Sequence, residues 1–185
     1  MILSDHQILA ARARGQIKIE PFDEKRLGTN SYDVSLGKML SFYVNEVLDA
    51  ARPNEVETIE MSKEGFEMKP WKLYLGVTEE YTETHGYVPW LDGKSSVGRL
   101  GIYVHITAGR GDVGFMNHWT LEMVAVQPVI IYPGMPIGQL TYFETGNVMV
   151  SYDQKKSAKY NGQRKEVPLP MPSMMWRNFG GGNFK

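Results

Sequence analysis

The stretch HWTLEMVAVQPVIIYPGMPIGQLTYF, residues 118–143, contains three apolar runs separated by short breaks rich in Pro and Gly. The runs cover 118–126, 128–132 and 137–143, and they are rich in the β-branched and aromatic residues that favour extended strands. Pro and Gly between them are typical of turns. Several short strands in succession predict a sandwich, a jelly roll or a barrel.

The same pattern extends toward the N-terminus, where it is preceded by one short helix. Ser4 and Gln7 form a capping-box pattern, and apolar residues recur up to Gly15, which ends the run. The 19 Gly and 10 Pro of the chain supply frequent turns between strands. Additional strands are predicted at 16–21, 36–44, 72–77 and 102–106.

Length and charge limit the organisation of the chain. With 185 residues it can bury one sizeable core, so we expect a single domain over 1–185. Residues 144–185 carry little strand pattern and form a C-terminal segment whose end, FGGGNFK, is expected to be flexible. Lys and Arg total 20 against 21 Asp and Glu, so no global positive field favours nucleic acid or a membrane surface.

The chain has no cysteine, which excludes disulfides and thiolate metal sites and suits a reducing compartment such as the cytoplasm. It shows neither a basic leader before an apolar core nor an apolar run of membrane-spanning length. The four histidines form no metal-spaced pair, and a zinc deaminase would need a Pro-Cys-x-x-Cys element. We therefore expect no protein metal site.

Residues 94–99, KSSVGR, are a candidate anion-binding loop. Ser95 and Arg99 are four residues apart, so one helical turn would place a hydroxyl beside a guanidinium. Flanking glycines would let backbone amides approach a phosphate, and Lys94 and Ser96 would add donors. Short polar turns rich in Gly are also common between strands, so a plain turn is the alternative.

Glu122 interrupts an apolar strand and is a candidate general acid/base. Alternation places Thr120 and Glu122 on one face of this strand, opposite Leu121 and Met123. Burial there would raise the pKa of the Glu122 carboxyl toward neutrality, which suits proton transfer. An edge-strand glutamate that faces water explains the same pattern equally well.

Three other polar features have ordinary structural explanations. Asp112 lies in the turn sequence GRGDVG, where aspartate commonly caps its own backbone. His105 is predicted to share a strand face with Tyr103 and Thr107, as a satisfied structural group. The lysine-rich residues 151–165 form either a solvated surface or a flap that closes over an anion.

Together these motifs resemble those of the dCTP deaminases, a family that shares a distorted jelly-roll fold with the trimeric dUTPases. The resemblance runs through most of the chain, and the motifs stand in the family's order. They are MILSD at 1–5, NSYDVSLG at 30–37, WLDGKSSVGRLG at 90–101, VHITAGRGDVGF at 104–115, TLE at 120–122 and SYDQKKSAKYNGQ at 151–163.

The resemblance implies zinc-independent deamination of dCTP to dUTP and ammonia. Glu122 would be the acid/base, Ser95 and the Ala108 carbonyl would hold the attacking water, and Arg99 would orient the reacting group. The implied catalytic positions are Ser95, Arg99, Ala108, Arg110 and Glu122. The implied substrate-binding positions are Lys94, Ser95, Ser96, Val97, Gly98, Arg99, Asp112, Thr120, Leu121, Glu122, Gln139, Tyr152, Lys159 and Gln163.

Within that set, Ser96 to Gly98 would contact phosphates and Asp112 the deoxyribose, while Thr120 and Leu121 would meet the base edge. The C-terminal residues Tyr152, Lys159 and Gln163 would close over the triphosphate. The resemblance also implies Mg²⁺ carried by the nucleotide, a homotrimer with sites between subunits, and feedback inhibition by dTTP, with His105 at the linked position.

The chain mixes the marks of two branches of this family. Arg110 matches the branch that stops at dUTP, whereas Gly109, Gln139 and residues 159–163 resemble the bifunctional branch that yields dUMP and pyrophosphate. Release of dUTP is the main expectation, and formation of dUMP is the alternative. A non-catalytic nucleotide-binding trimer on the same fold is the alternative of another class.

Two positions depart from the family pattern. Lys94 replaces the usual arginine, which exchanges a bidentate fork for a point charge. Asn117 stands where glycine is usual, and asparagine tolerates a positive φ better than most residues.

Overall fold

The computed structural model describes residues 1–180, which form a mainly β fold with short helices. The helices are α1 (Asp5–Ala13) and α2 (Ser95–Arg99), and short 3₁₀ turns lie at Glu24–Arg26, Tyr152–Gln154 and Met175–Asn178. The strands are β1 (Ile17–Glu20), β2 (Tyr32–Ser35), β3 (Met39–Tyr43), β4 (Val56–Glu60), β5 (Phe66–Met68), β6 (Tyr74–Thr84), β7 (Tyr87–Gly93), β8 (Ile102–Tyr103), β9 (Met116–Ala125), β10 (Val129–Ile131) and β11 (Pro136–Glu144).

Helix α1 begins at the predicted capping box. The Ser4 hydroxyl accepts the Gln7 backbone N–H, and the Gln7 side chain accepts the Ser4 backbone N–H at 2.9 Å. Ile8 and Ala11 are buried on its inner face. Gly15, with φ of 71°, turns the chain from the helix into β1.

The strands pair in antiparallel fashion in three sheets. The largest has the order β4-β3-β6-β9-β8, with β1 also paired to β6. The second has the order β2-β11-β7, and β10 pairs with β5. Buried residues of the two larger sheets, among them Leu40, Leu121, Val34 and Leu140, belong to one continuous core. Among residues 1–180 these pairings do not close into a barrel.

Most of the predicted elements are confirmed, with changes at their ends. The strand predicted at 72–77 continues to Thr84 as β6, because residues 81–84 pair with β1 and residues 74–77 and 81–83 pair with β9. The strand predicted at 102–106 ends at Tyr103, so residues 104–106 belong to a loop. Strands β2, β4, β5 and β7 were not predicted, and WLDG, expected in a loop, completes β7.

The C-terminal part of the chain lacks strands from residue 145 to residue 180, as predicted. The glycine-rich end from residue 181 onward, predicted to be flexible, lies outside the described residues. In the part of the chain that is described, no helix has the length and apolar character needed to cross a membrane.

Candidate active site

Strand β9 places Glu122 in the interior of the largest sheet. Leu121, Met123 and Ala125 are buried, and Thr120, Glu122 and Val124 occupy the opposite, partly open face, as the alternation predicts. Glu122 is opposite Leu75 of β6, and its backbone N–H donates to the Val104 carbonyl at 3.0 Å. Since β9 has neighbours on both sides here, the interpretation of Glu122 as an edge-strand residue is wrong.

A cavity of about 650 Å³ lies against this face of β9. Its volume falls in the range usual for small-molecule sites. Several predicted residues line it together: Ala108, Arg110, Asp112, Thr120, Glu122 and Tyr152. The structure therefore brings together the expected acid/base, base-edge and sugar-binding positions.

The Glu122 carboxylate opens toward the cavity and is only partly buried, in contrast to the burial expected from the strand pattern. The reason is that the Thr120 and Glu122 face of β9 is covered by loops rather than by another sheet. Its Oε2 accepts the backbone N–H of Ile106 at 3.1 Å. A carboxylate fixed by one amide and facing open space can exchange protons with a bound molecule.

His105 lies in the loop after β8 and not on the predicted strand face with Thr107. Burial lowers the pKa of the His105 imidazole, an effect opposed by the nearby Glu122 and Asp92 carboxylates. Within residues 1–180 its buried Nε2 has no hydrogen-bond partner. Gly109 packs tightly at the far end of this loop, where a Cβ would overlap the Leu91 carbonyl oxygen.

A second group of predicted residues is built on α2, which forms the single helical turn expected at Ser95–Arg99. Arg99 Nη1 donates to the Ser95 carbonyl at 3.1 Å, so the guanidinium meets the backbone of Ser95 and not its hydroxyl. Ser95, Ser96, Gly98 and Arg99 are exposed, whereas the Val97 side chain is part of the core.

The α2 group does not line the 650 Å³ cavity, as far as the described residues go. Gln139, Lys159 and Gln163 are likewise absent from that lining. Leu121 also belongs to the core through its fully buried side chain, so only its backbone can face a ligand. One chain therefore presents the predicted site as two separate groups.

Lys94 is held by a carboxylate that sequence reasoning did not single out. Its ammonium pairs with Asp33 Oδ2, and the Gln139 amide donates to Asp33 Oδ1 at 3.1 Å and to Ser31 Oγ at 3.3 Å. Asp33 lies in the NSYDVSLG motif, and its place in that motif is the sequence signal that could have identified it as a site residue. These contacts fix Lys94 and Gln139 beside the N-terminus of α2.

The C-terminal segment folds back onto the body of the same chain. The Tyr152 phenol oxygen accepts the backbone N–H groups of Lys159 and Tyr160 at 3.0 and 3.1 Å, which shapes the turn between them. The Lys159 ammonium contacts Asn178, and Gln163 is exposed. Of the three residues expected to close over the triphosphate, Tyr152 lines the cavity and Lys159 and Gln163 do not.

Part of the cavity wall was missed because it comes from segments far apart in the chain. Tyr43 and Leu75 contribute from β3 and β6, and Tyr160 and Met171 from the C-terminal segment. No local periodicity signals such contacts. Asn117, expected to need a positive φ, is a regular residue of β9.

Within the described range no group of three or more His, Cys, Asp and Glu side chains is arranged to hold a metal ion. Asp33 is the carboxylate beside α2, but Lys94 and Gln139 engage both of its oxygens. It therefore fits poorly as a direct metal ligand.

Comparisons with known proteins agree with this architecture. A family model described as dCTP deaminase-like matches residues 2–145. The proteins named "dCTP deaminase, dUMP-forming" from Clostridium beijerinckii and Cytophaga hutchinsonii are each 44% identical over 97% of this chain and 99% of their own. The one from Clostridium botulinum strain Eklund 17B is 45% identical over the same shares.

A solved structure, the 2'-deoxycytidine 5'-triphosphate deaminase from Agrobacterium tumefaciens, superposes with a TM-score of 0.62 at 19% identity. The match covers 80% of this chain and 50% of that chain. At this identity the likeness concerns the fold.

Proposed function

This chain belongs to the dCTP deaminase family, and from that premise we propose that it converts dCTP to dUMP, ammonia and pyrophosphate. Relatives at about 44% identity over nearly the full length carry the name "dCTP deaminase, dUMP-forming". Gly109 and Gln139 also resemble the bifunctional branch that yields dUMP. Arg110 points to release of dUTP, and the relatives outweigh this single position.

The observation that carries the proposal is the position of Glu122 in the wall of the cavity. Its carboxylate takes a proton from water as the oxygen adds to C4 of cytosine, and delivers that proton to N3. The carboxylate then moves the proton of the new C4 hydroxyl to the exocyclic amine, so ammonia leaves as the C4 carbonyl forms. The Ile106 N–H bond to Oε2 at 3.1 Å holds the carboxylate in place for both steps.

The rest of the cavity suits a deoxynucleoside. Asp112 lies in its wall beside Arg110, where it can accept a hydrogen bond from the sugar hydroxyl, and Thr120 and the Leu121 backbone adjoin Glu122. Ala108 lines the wall, and we assign its carbonyl to hold the attacking water. The base and sugar are therefore assigned to the cavity.

The triphosphate is assigned to the α2 group with Lys94 and Gln139. Exposed donors of Ser95, Ser96, Gly98 and Arg99 provide the phosphate contacts. Because this group lies outside the cavity of its own chain, we propose that a second copy supplies it, which fits a homotrimer with shared sites. Attack of a second water on the α-phosphorus would then expel pyrophosphate.

We propose that Mg²⁺ arrives on the phosphates, since this ion keeps several waters and needs few protein ligands. We also propose that dTTP competes for the same site. His105 is the candidate sensor. The Glu122 carboxylate is close enough to act on the pKa of its imidazole, and His105 lies in the loop whose Ile106 N–H holds that carboxylate.

The test is incubation of the purified protein with dCTP and magnesium, with ammonia measured and nucleotides separated by ion exchange. Ammonia with matching dUMP and pyrophosphate supports the proposal. Ammonia with accumulating dUTP assigns the chain to the other branch. Tight binding without ammonia release supports the non-catalytic trimer.

A further inference from the structure

The C-terminal segment is anchored to the first residues of β9. Gly162 N–H donates to the Met116 carbonyl at 2.8 Å, and Met171 N–H donates to the Thr120 hydroxyl at 2.9 Å. Tyr160 and Met171 from this segment line the 650 Å³ cavity. The position of residues 160–171 thus determines how open the cavity is.

Asn117 provides one anchor with its buried side chain. Its Nδ2 donates to the Tyr160 carbonyl at 2.7 Å and contacts Met171 Sδ at 3.2 Å. Its Oδ1 accepts the His118 backbone N–H at 2.9 Å, which fixes the orientation of the amide. A Cβ on Gly162 would lie 2.8 Å from Asn117 Oδ1, so the two residues are closely fitted.

His118 provides the second anchor, and its contacts define its protonation state. Nδ1 lies 3.1 Å from the Thr78 carbonyl, which can only accept, so Nδ1 carries the hydrogen. Nε2 accepts the Lys165 backbone N–H at 3.2 Å. This arrangement requires a neutral imidazole, because a protonated Nε2 would direct a second donor at the Lys165 N–H.

We propose that Asn117 and His118 form a latch that holds residues 160–171 over the cavity and that opens when His118 is protonated. The latch itself is a property of the folded chain. Its use, which is to gate the entry of nucleotide and the exit of product, rests on the proposed function. Asn117, which stands where the family usually has glycine, supplies an anchor that glycine would lack.

The groups around His118 favour its neutral form. His118 is 5% exposed, and burial lowers the pKa of its imidazole below its usual 6.5, although hydrogen bonding to the backbone of Thr78 and Glu79 opposes this. Arg164 and Lys165 of the C-terminal segment oppose a positive charge there, and Tyr81 of β6 packs edge-on against the ring. Opening removes the burial and the two cations, so the open state binds the proton more tightly. The closed state is therefore favoured above pH ~6.5 and lost below it.

The experiment is hydrogen exchange of the backbone amides of 160–171 without nucleotide, from about pH 8 to about pH 5, corrected for the intrinsic exchange rate. In the unaltered chain we expect protection to fall by up to about tenfold per pH unit below pH ~6.5. His118→Gln keeps an oxygen acceptor for Lys165 but cannot titrate, so its protection should stay constant. His85→Gln, at a partly exposed histidine paired with Glu83, should behave like the unaltered chain.

Constant protection in the unaltered chain, or an equal fall in His118→Gln, would overturn the latch. If His118→Gln does not fold, NMR titration of the unaltered protein decides instead. The His118 ring and the Lys165 amide must then titrate together, with a pKa below 6.5. Because no nucleotide is added, failure of the latch and failure of the proposed activity are separate results.

Discussion

Ile106 donates its backbone N–H to the Glu122 carboxylate across 3.1 Å, which joins the loop after β8 to the centre of β9. The loop contributes Ala108 and Arg110 to the cavity, so this hydrogen bond links the position of the carboxylate to that of the groups around it. Any change that moves residues 104–110 should therefore alter catalysis without touching Glu122.

The first prediction concerns Glu122→Gln. The amide oxygen can still accept the Ile106 N–H, so the loop should keep its position, but the side chain can no longer transfer protons. We expect ammonia release to fall by about 10²–10⁴-fold. Calorimetric affinity for dCTP should stay close to that of the unaltered protein. Deamination at the normal rate would remove Glu122 from the mechanism.

The second prediction uses two glycines with different surroundings. A Cβ at Gly109 would overlap the Leu91 carbonyl oxygen and approach His105 Cδ2 at 3.3 Å, so Gly109→Ala should displace the loop. We expect a lower kcat and a loss of ~1–3 kcal/mol in the free energy of unfolding. Gly98→Ala is the control, because nothing lies within 4 Å of a Cβ there.

Gly98→Ala should leave the free energy of unfolding unchanged or raise it by up to about 1 kcal/mol. If α2 binds phosphates as proposed, the added methyl should raise KM for dCTP and leave the KM of a nucleoside lacking phosphates unchanged. An unchanged KM for both compounds would argue against phosphate contact at this position.

The third prediction concerns a partly buried ion pair that supports the fold. Glu80 is fully buried, pairs with Arg26, and accepts the Ser35 backbone N–H at 2.8 Å. Arg26→Ala leaves that carboxylate without a cation and should cost ~3 kcal/mol of unfolding free energy in urea titrations. Lys38→Ala breaks the exposed pair with Glu60 and should cost under about 1 kcal/mol.

The Arg26 variant should also change the pH dependence of stability. Burial raises the pKa of the Glu80 carboxyl above its ordinary 4.5. A raised carboxyl pKa means that the folded state is favoured at low pH and loses stability as pH rises through the folded value. Without Arg26 that loss should grow. Stability that varies with pH as in the unaltered protein would contradict the assignment.

Local pattern was sufficient for the elements whose signals are local. The capping box of Ser4 and Gln7, the alternation along β9 and the single turn at Ser95–Arg99 each depend on neighbouring residues, and each is confirmed. Strand β4 was missed since only two of its five residues, Val56 and Ile59, are apolar and they do not alternate. It is a strand because it pairs with β3, which no local pattern shows.

The sequence predicted which residues belong to the candidate site, but not how these residues are arranged in space. Motif resemblance placed Glu122, Ala108, Arg110 and Asp112 in one site, and the structure puts them in one cavity. The motifs did not indicate that Ser95 and Arg99 lie outside this cavity, because tertiary packing and not local pattern sets the position of α2. Asp33 and His118 were overlooked as site residues because their roles come from partners 61 and 47 residues away, Lys94 and Lys165.

The last prediction tests the fit between Asn117 and Gly162. In Gly162→Ala the new methyl would stand 2.8–3.1 Å from the Asn117 amide, so the segment should shift and protection of residues 160–171 should fall at every pH. Asn117→Ala removes the donor to Tyr160 and should also lower protection. In the double variant the methyl at residue 162 has space, so its added effect should nearly vanish. Contacting residues are expected to show such non-additivity, with a coupling of about 0.5–3 kcal/mol. If the two effects simply add, the segment is not seated on Asn117 in solution, and the latch loses its Asn117 anchor.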